Sequence, residues 1–538
     1  MTELRNADVL AQRLAEAGCR HAFGMPGGEV LTLVDALAKA GIQFHLVKHE
    51  NAAGFMAEGV WHRTGAPGIM LATLGPGAMN GVNAVANAHQ DRVPLIVLTG
   101  AVDAEEAETY THQVLDHQAV FAPITKATFR LSQGAVATVA DKVLAIAEEG
   151  RAGPVHIDVP ISLAAATAPN APGPRRVAAS PVAPALGTAL DEARTWLGAA
   201  KRPLMVIGLD ALRERAGTEL RGFCERFGVP FITTYKAKGL IDERHPLCLG
   251  AAGLSPKADA ILTPLIDSAD LILSVGYDPI EMRTGWRDIW DPARQLVIEI
   301  GAETNRHYMH QASLVFVAGV APTLAVLEDV TPQDQTWAAG EIAAAQTALK
   351  AAFPTDEDWG PAAVIDTCRE TLPEATLASA DSGAHRILLS QMWVTHEPAG
   401  LVQSTALCTM GCAIPLAMGT KLAAPHRPVV AFTGDAGFLM VAGELATARE
   451  LNLPVIIVVF VDASLALIEL KQRSRQLANT GVDFGHHDFA AIARAFGGAG
   501  HRVQNRAELR AALEDALQAD TFTVIAAEID RGAYDGRI

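Results

Sequence analysis

The sequence is poor in cysteine, has no basic excess and contains no long hydrophobic run. Its six cysteines (Cys19, Cys224, Cys248, Cys368, Cys408, Cys412) are scattered, which argues against a disulfide framework and for reduced thiols in the cytoplasm. Cys408 and Cys412 lack the second cysteine or histidine pair that a zinc site needs. A net charge of −17 disfavours nucleic acid and anionic membranes as partners. The longest clean apolar runs are strand-sized, as at 455–461, far short of a membrane span. The start, Met1-Thr-Glu-Leu-Arg, lacks the basic-then-apolar layout of a secretory signal. Two glycine turns follow strand-like runs, Gly24-Met-Pro26-Gly27-Gly28 and Gly208-Leu-Asp210, yet neither completes Gly-x-Gly-x-x-Gly. The fingerprint of a dinucleotide site is therefore missing.

What is present is a large hydrophobic fraction in a long chain. Of 538 residues, 50% are hydrophobic, enough for several α/β domains with buried cores. Strand-like runs at 68–73, 94–99, 203–208 and 271–275 alternate with helical stretches. That alternation implies parallel sheets covered on both faces, a doubly wound α/β fold. Residues 163–188, rich in Ala and Pro, read as a surface linker,. A more polar break at 331–361 is helical in part, around 341–353. Three domains follow, at 1–165, 189–330 and 360–538.

The chemistry is written at strand ends. An apolar run at 428–433 leads into Gly434-Asp435-Ala436-Gly437, a helical segment follows over 438–451, and a second apolar run at 455–461 delivers Asp462. Strand, helix and strand form a βαβ unit with parallel strands, so both acids leave carboxyl ends, where open α/β sheets bind ligands. Each acid alone has an ordinary role, Asp435 capping a helix and Asp462 opening a turn. Together they suit a hard cation such as Mg²⁺, which favours carboxylates, water and phosphate oxygens. Two more strand-to-helix turns lie far away: in Leu46-Val-Lys-His49-Glu50-Asn-Ala-Ala-Gly54, Glu50 closes an apolar strand and opens a small-residue helix, and Leu74-Gly75-Pro76-Gly77-Ala78-Met79-Asn80 is rich in glycine.

Taken in order, these stretches resemble the thiamine diphosphate enzymes of the acetolactate synthase and 2-oxo acid decarboxylase family. Thr111-His112-Gln113 with Pro123-Ile-Thr-Lys126, Gly276-Tyr-Asp-Pro-Ile-Glu281 and Val482-Asp-Phe-Gly485 make the likeness greatest to catabolic acetolactate synthases. The resemblance implies a pyrimidine-binding first domain, a central domain and a diphosphate-binding third domain. It implies that Glu50 hydrogen-bonds the cofactor's aminopyrimidine ring, that Gln113 contacts substrate-derived groups, and that Met410 bends the cofactor from beneath. Pro26, Gly75, Asn80, Gly383, Ala384, His385, Gly434, Asp435, Ala436, Gly437 and Ile468 would complete the cofactor site. Asp435, Asp462 and Ser464 would hold the metal. Several bland roles compete: Glu50 as an N-terminal helix acid, Met410 as core filler, Gln113 as a loop amide, His385 as a solvent-facing helix residue. His486 and His487 are adjacent and read as structural. Some relatives carry FAD in the central domain, but the catabolic pattern implies none here, and that domain is read as structural.

Departures qualify the reaction. Ala436 stands where glycine is usual after Gly-Asp, and Val461-Asp462 where many relatives have Asn-Asn. Glu29 occupies a turn where acetolactate synthases place a small residue or lysine. An ionised Glu29 would repel a 2-oxo acid carboxylate, and several decarboxylases carry an acid at the neighbouring position. Acetolactate synthase-like carboligation of 2-oxo acids is the expected reaction. Non-ligating decarboxylation and aldehyde or hydroxyacyl lyase chemistry are the alternatives. A non-catalytic cofactor-binding paralogue is disfavoured by the presence of Glu50, Asp435 and Asp462. The family shares its cofactor between subunits, which implies a homodimer or a dimer of dimers.

Overall fold

The computed structural model describes residues 4–169, 173 and 179–538 and contains three six-stranded sheets. Part of the 163–188 linker thus lies outside the described residues. Every pairing within the three sheets is parallel. The α/β expectation holds. Strands such as Leu95–Ala101 and Pro203–Ile207 are buried along their whole length, which is why they read as unbroken apolar runs rather than alternating ones.

The first sheet (strands within 21–160) and the third (377–528) share one strand order: second, first, third, fourth, sixth, fifth. The middle sheet (203–317) runs sixth, fifth, fourth, first, second, third. Its order reverses between Pro203–Ile207 and Leu271–Val275, where such a sheet would take a ligand. There Gly208 N–H bonds Val275 O at 2.9 Å and Asp210 N–H bonds Gly276 O at 3.0 Å, tying the two strand-end turns together. The Asp210 carboxylate accepts Ala302 N–H at 3.0 Å, and burial raises its pKa.

The first and third domains share one hydrophobic core. Helix Glu50–Thr64 crosses helix Ala413–Ala423 at very close range. A methyl group on Gly59 would lie 2.3 Å from Leu416 O, and one on Gly419 would lie 2.0 Å from Met56 O. Only glycine at both positions lets the two backbones meet. All three domains converge on a buried charged cluster, where Lys236 Nζ lies 2.8 Å from Asp91 and 3.4 Å from Glu58. The 331–361 segment is not a loose connector. Its helix Glu341–Ala352 lies on the middle domain, with Gln346 donating to Pro246 O at 2.8 Å and Cys248 O at 3.0 Å. No disulfide forms among the described residues, and none of their helices is long and apolar enough to cross a membrane.

Candidate active site

The first set of groups gathers at the carboxyl ends of the first sheet. Strand Gln43–Leu46 is an edge strand with only His45 buried, not the apolar strand expected to run up to Glu50. It ends early because the next turn is held from another domain: Glu444 Oε1 accepts the N–H groups of Lys48 and His49, each at 2.9 Å. Burial raises the pKa of Glu444. Glu50 then opens helix Glu50–Thr64, only 4% exposed, with Oε2 accepting Asn80 Nδ2 at 2.9 Å. Asn80 closes the short helix Pro76–Asn80, which starts from Gly75 at φ +61°. A side chain on Gly75 would be strained by that angle and would strike Gln113 O, 2.6 Å from the ideal Cβ,.

Gln113 is exposed and itself in the left-handed region, at φ 60°. Glu29 is half-buried on the turn Gly28–Val30, its Oε2 accepting Thr73 Oγ1 at 2.6 Å. A methyl on Gly77 would lie 2.8 Å from Thr73 Cγ2 and 3.1 Å from Glu50 Oε1. Thr73 therefore links Glu29 to the face on which Glu50 sits. Pro26 is exposed at the end of strand His21–Met25.

The second set lies at the carboxyl ends of the third sheet. Its organiser is Asp381, which no motif singled out. This acid follows strand Leu377–Ala380 and is fully buried. Its Oδ2 accepts Gly411 N–H and Thr433 Oγ1, both at 2.9 Å, and its Oδ1 accepts Cys412 N–H at 3.0 Å. A methyl on Gly437 would fall 1.8 Å from the same carboxylate. Asp381 thereby fixes the loop bearing Met410, the strand bearing Gly434 and the helix bearing Asp435 to one another. The only cue in the sequence was an acid at a strand end, just before Gly383-Ala384-His385.

The helical stretch expected over 438–451 is two helices, Asp435–Val441 and Glu444–Glu450. Asp435 is the first residue of the former, and it ties two strand ends together: Oδ1 accepts Ala436 N–H at 2.7 Å and Oδ2 accepts Ala463 N–H at 2.8 Å. Ala436 and Gly437 are buried behind it. Asp462 follows strand Ile456–Val461 and accepts Ser464 N–H at 3.1 Å. Burial and then the neighbouring Asp435 charge push the Asp462 pKa up to about 7. Burial also raises Asp435. Ser464 commits its hydroxyl proton to Glu469 Oε2. Burial, and then the charges of Asp462 and Asp435, raise the pKa of the Tyr534 hydroxyl.

Helix Ala384–Met392 begins after Gly383, with Ala384 and His385 buried in its first turn. His385 is not solvent-facing. Its ring stacks on Phe460 at 5.3 Å, and burial with the nearby Arg386 charge holds its pKa at about 3. It is neutral and adds no charge toward an anion. Met410 is half-buried, and Ile468, on helix Ala466–Ser474, is 43% exposed. His486 and His487 are exposed in a loop, not on a helix.

These residues fit a diphosphate carried with Mg²⁺. Two acids at adjacent strand ends raise each other's cost of ionisation, and a divalent cation would relieve it. Ser382 Oγ and His385 Nε2 are buried without a partner among the described residues, beside the N–H groups of a helix start that suits an anion. No group of three or more His, Cys, Asp or Glu side chains among the described residues could hold a metal. A cation here would thus rest on two carboxylates plus other oxygens, which is how Mg²⁺ is commonly held.

Within one chain, hydrogen bonds join the first and third domains, two of them beside Glu50. They run from Lys48 and His49 to Glu444, from Ser404 Oγ to Asn87 at 2.6 Å, and from Thr405 and Ala406 to Asp91.

Known sequences match the chain in the order of its three domains. Models of the thiamine pyrophosphate enzymes match in three parts: the N-terminal thiamine pyrophosphate-binding domain at residues 4–120, the central domain at 190–327 and the C-terminal thiamine pyrophosphate-binding domain at 381–527. Acetolactate synthase of Bacillus subtilis (strain 168) is 29% identical over 98% of this chain and 93% of its own length. The catabolic acetolactate synthase of Raoultella terrigena is 27% identical over 97% of this chain and 95% of its own. The probable 2-ketoarginine decarboxylase of Pseudomonas aeruginosa is 30% identical over 97% of this chain and 93% of its own.

Proposed function

This chain belongs to the thiamine pyrophosphate enzyme family, and from that premise we propose that it is an acetolactate synthase-like carboligase dependent on thiamine diphosphate and Mg²⁺. It would remove carbon dioxide from one 2-oxo acid, such as pyruvate, and join the remaining acyl carbon to a second carbonyl. The observation that carries the reading is the buried Glu50, held by Asn80 through one oxygen only. Bound thiamine diphosphate supplies the carbon nucleophile and the electron sink for C–C cleavage. Glu50 is placed to hold a proton at Oε1 while Asn80 fixes Oε2.

Asp435 and Asp462, with Ser464 beside them, would hold the Mg²⁺. The turns at 383–385 and 434–437 would bind the diphosphate. Met410 would support the cofactor from below, while Gln113 and Ile468 would face the substrate. Burial of the first turn of helix Ala384–Met392 and of Asp435 keeps water from competing at the charged end of the cofactor. The likeness to catabolic acetolactate synthases favours a structural role for the middle domain, and no FAD is expected.

The site would be completed by a second copy of the chain. Leu31, Leu46, Tyr110, Leu115, Leu407 and Met440 are each more than a third exposed, and they come from the two domains that carry the site. In the proposed dimer a second copy would cover them. The minimal unit would be a homodimer, and a dimer of dimers is compatible with it.

One observation favours a second reading. The half-buried Glu29 carboxylate, linked through Thr73 to the Glu50 face, suits simple decarboxylation of a 2-oxo acid bearing a cationic side chain better than it suits pyruvate. Purified protein incubated with thiamine diphosphate, Mg²⁺ and a panel of 2-oxo acids and aldehydes separates the two readings. Ligated hydroxyketone products support the first. Aldehyde as the sole organic product supports the second. No turnover of any 2-oxo acid or aldehyde overturns both.

A further inference from the structure

The segment bearing Gln113 is tied to the turn bearing Gly75 by a buried histidine. His117 opens the short helix His117–Phe121 and is 3% exposed. Its Nε2 lies 3.0 Å from Gly75 N, and its Nδ1 lies 2.8 Å from Asp158 Oδ1. A main-chain N–H can only donate. Nε2 is therefore the bare acceptor, and the ring proton sits on Nδ1, directed at Asp158. Asp158, on strand Val155–Pro160, also accepts Thr99 Oγ1 at 2.7 Å. His156 Nε2 lies 2.7 Å from the same Thr99 oxygen. Burial would raise the Asp158 carboxyl, but the bonds from His117, His156 and Thr99 hold it below the usual carboxylate range. A buried relay of fixed polarity thus ends on the Gly75 amide.

That amide has two neighbours that matter. The Gly75 backbone abuts the Gln113 carbonyl, and the helix beginning at Pro76 ends on Asn80, which holds Glu50 Oε2. Loss of the bond to Gly75 would loosen both supports at once. We propose that His117 is a positioning residue for the reaction: through Asp158 and the Gly75 N–H it sets the placement of Gln113 and of the Asn80–Glu50 pair. The proposal rests on the reading of Glu50 and Gln113 as site residues.

Two amide substitutions divide the ring's two jobs. In His117→Gln, the amide oxygen can reach the place of Nε2 and accept Gly75 N–H. In His117→Asn, the shorter amide can reach only the place of Nδ1 and serve Asp158. Backbone amide hydrogen exchange on the metal-free protein reads the contact directly. The Asn variant should exchange the Gly75 amide at least about tenfold faster than the parent, and the Gln variant within about threefold.

With the 2-oxo acid that the panel identifies, His117→Asn should lower kcat at least about tenfold, as misplacement of reacting groups does, with KM within about threefold. His117→Gln should retain most of kcat. Equal exchange and equal kcat in the two variants would overturn the proposal, as would kcat losses that simply follow the thermal midpoint. Glu50→Gln runs beside them. Retained turnover in that variant defeats the reading of the site itself, whereas a dead Glu50→Gln with a fully active His117→Asn defeats only the role of His117.

Discussion

Asp462→Asn should stabilise the metal-free protein at alkaline pH while destroying its response to Mg²⁺. The folded protein raises the Asp462 pKa from the ordinary 3.8 to about 7, so ionisation of this side chain opposes folding. Below pH 3.8 it is protonated in both states and costs nothing. The cost grows between the two values and is complete above pH 7. At about 1.4 kcal/mol per tenfold, it approaches 4 kcal/mol at pH 8 and stays under about 2 kcal/mol at pH 5, both upper bounds because the side chain is partly solvated.

Asparagine keeps the oxygen that accepts Ser464 N–H and removes the charge. In EDTA, the apparent thermal midpoint of Asp462→Asn should therefore rise by several degrees at pH 8 and by much less at pH 5. Asp435→Asn is the internal control. Both Asp435 oxygens accept a main-chain N–H, so one would face the new amide donor, a cost of about 1–3 kcal/mol that offsets the charge relief this variant also gains, and its midpoint should rise less than that of Asp462→Asn. Added Mg²⁺ with thiamine diphosphate should raise the parent midpoint and leave Asp462→Asn nearly unmoved. An Asp462→Asn midpoint equal to the parent's at both pH values in EDTA would refute the argument.

Glu50→Gln can still accept from Asn80, so its fold and cofactor affinity should persist. Its turnover, and hydrogen exchange at the cofactor's C2, should fall by about a thousandfold or more; unchanged exchange would remove Glu50 from the mechanism. Glu29→Ala should lower KM for pyruvate several-fold if the carboxylate repels it, with Glu29→Gln intermediate, whereas a fall in kcat in both would assign Glu29 to proton transfer. Mixing inactive Glu50→Gln chains with inactive Asp435→Ala chains should regenerate activity, through mixed dimers with one intact site. No recovery despite demonstrated subunit exchange would mean that each site is built within a single chain.

The features legible in the sequence are those that local pattern dictates. Buried parallel strands such as Val429–Gly434 and Ile456–Val461 announce themselves as apolar runs, and the acids at their ends follow from the βαβ rule. What escaped depends on partners distant in sequence. Strand Gln43–Leu46 stops short of Glu50 because Glu444, from another domain, takes over the Lys48 and His49 amides. The helix after Asp435 breaks near Gly443, beside Lys48, and that break brings Glu444 to those amides. Asp381 and His117 each look like one polar residue among many until folding places their partners around them. The helix at Glu341–Ala352 looked like part of a break because its few anchors, including Gln346, grip the middle domain rather than the chain nearby.

The first and third sheets repeat one strand order, and the repeat extends to how the two domains meet. In both the first and third sheets, the helix that follows the second strand is the one buried between the domains, Glu50–Thr64 in one and Ala413–Ala423 in the other. The contact is reciprocal, Gly59 on Leu416 and Gly419 on Met56, as expected when two like units meet about a local two-fold. That pairing consumes the helical face of each unit. Large apolar side chains stay exposed in these two domains, among them Leu46 and Leu115 in the first and Met440 and Ile468 in the third, and in the middle domain too, as at Tyr308 and Val317. In the proposed homodimer, a second chain related by a two-fold would set each Glu50 opposite the partner's acid pair. The tight Gly59–Gly419 crossing would then serve catalysis at a distance, by fixing the angle at which each chain offers its half of two sites.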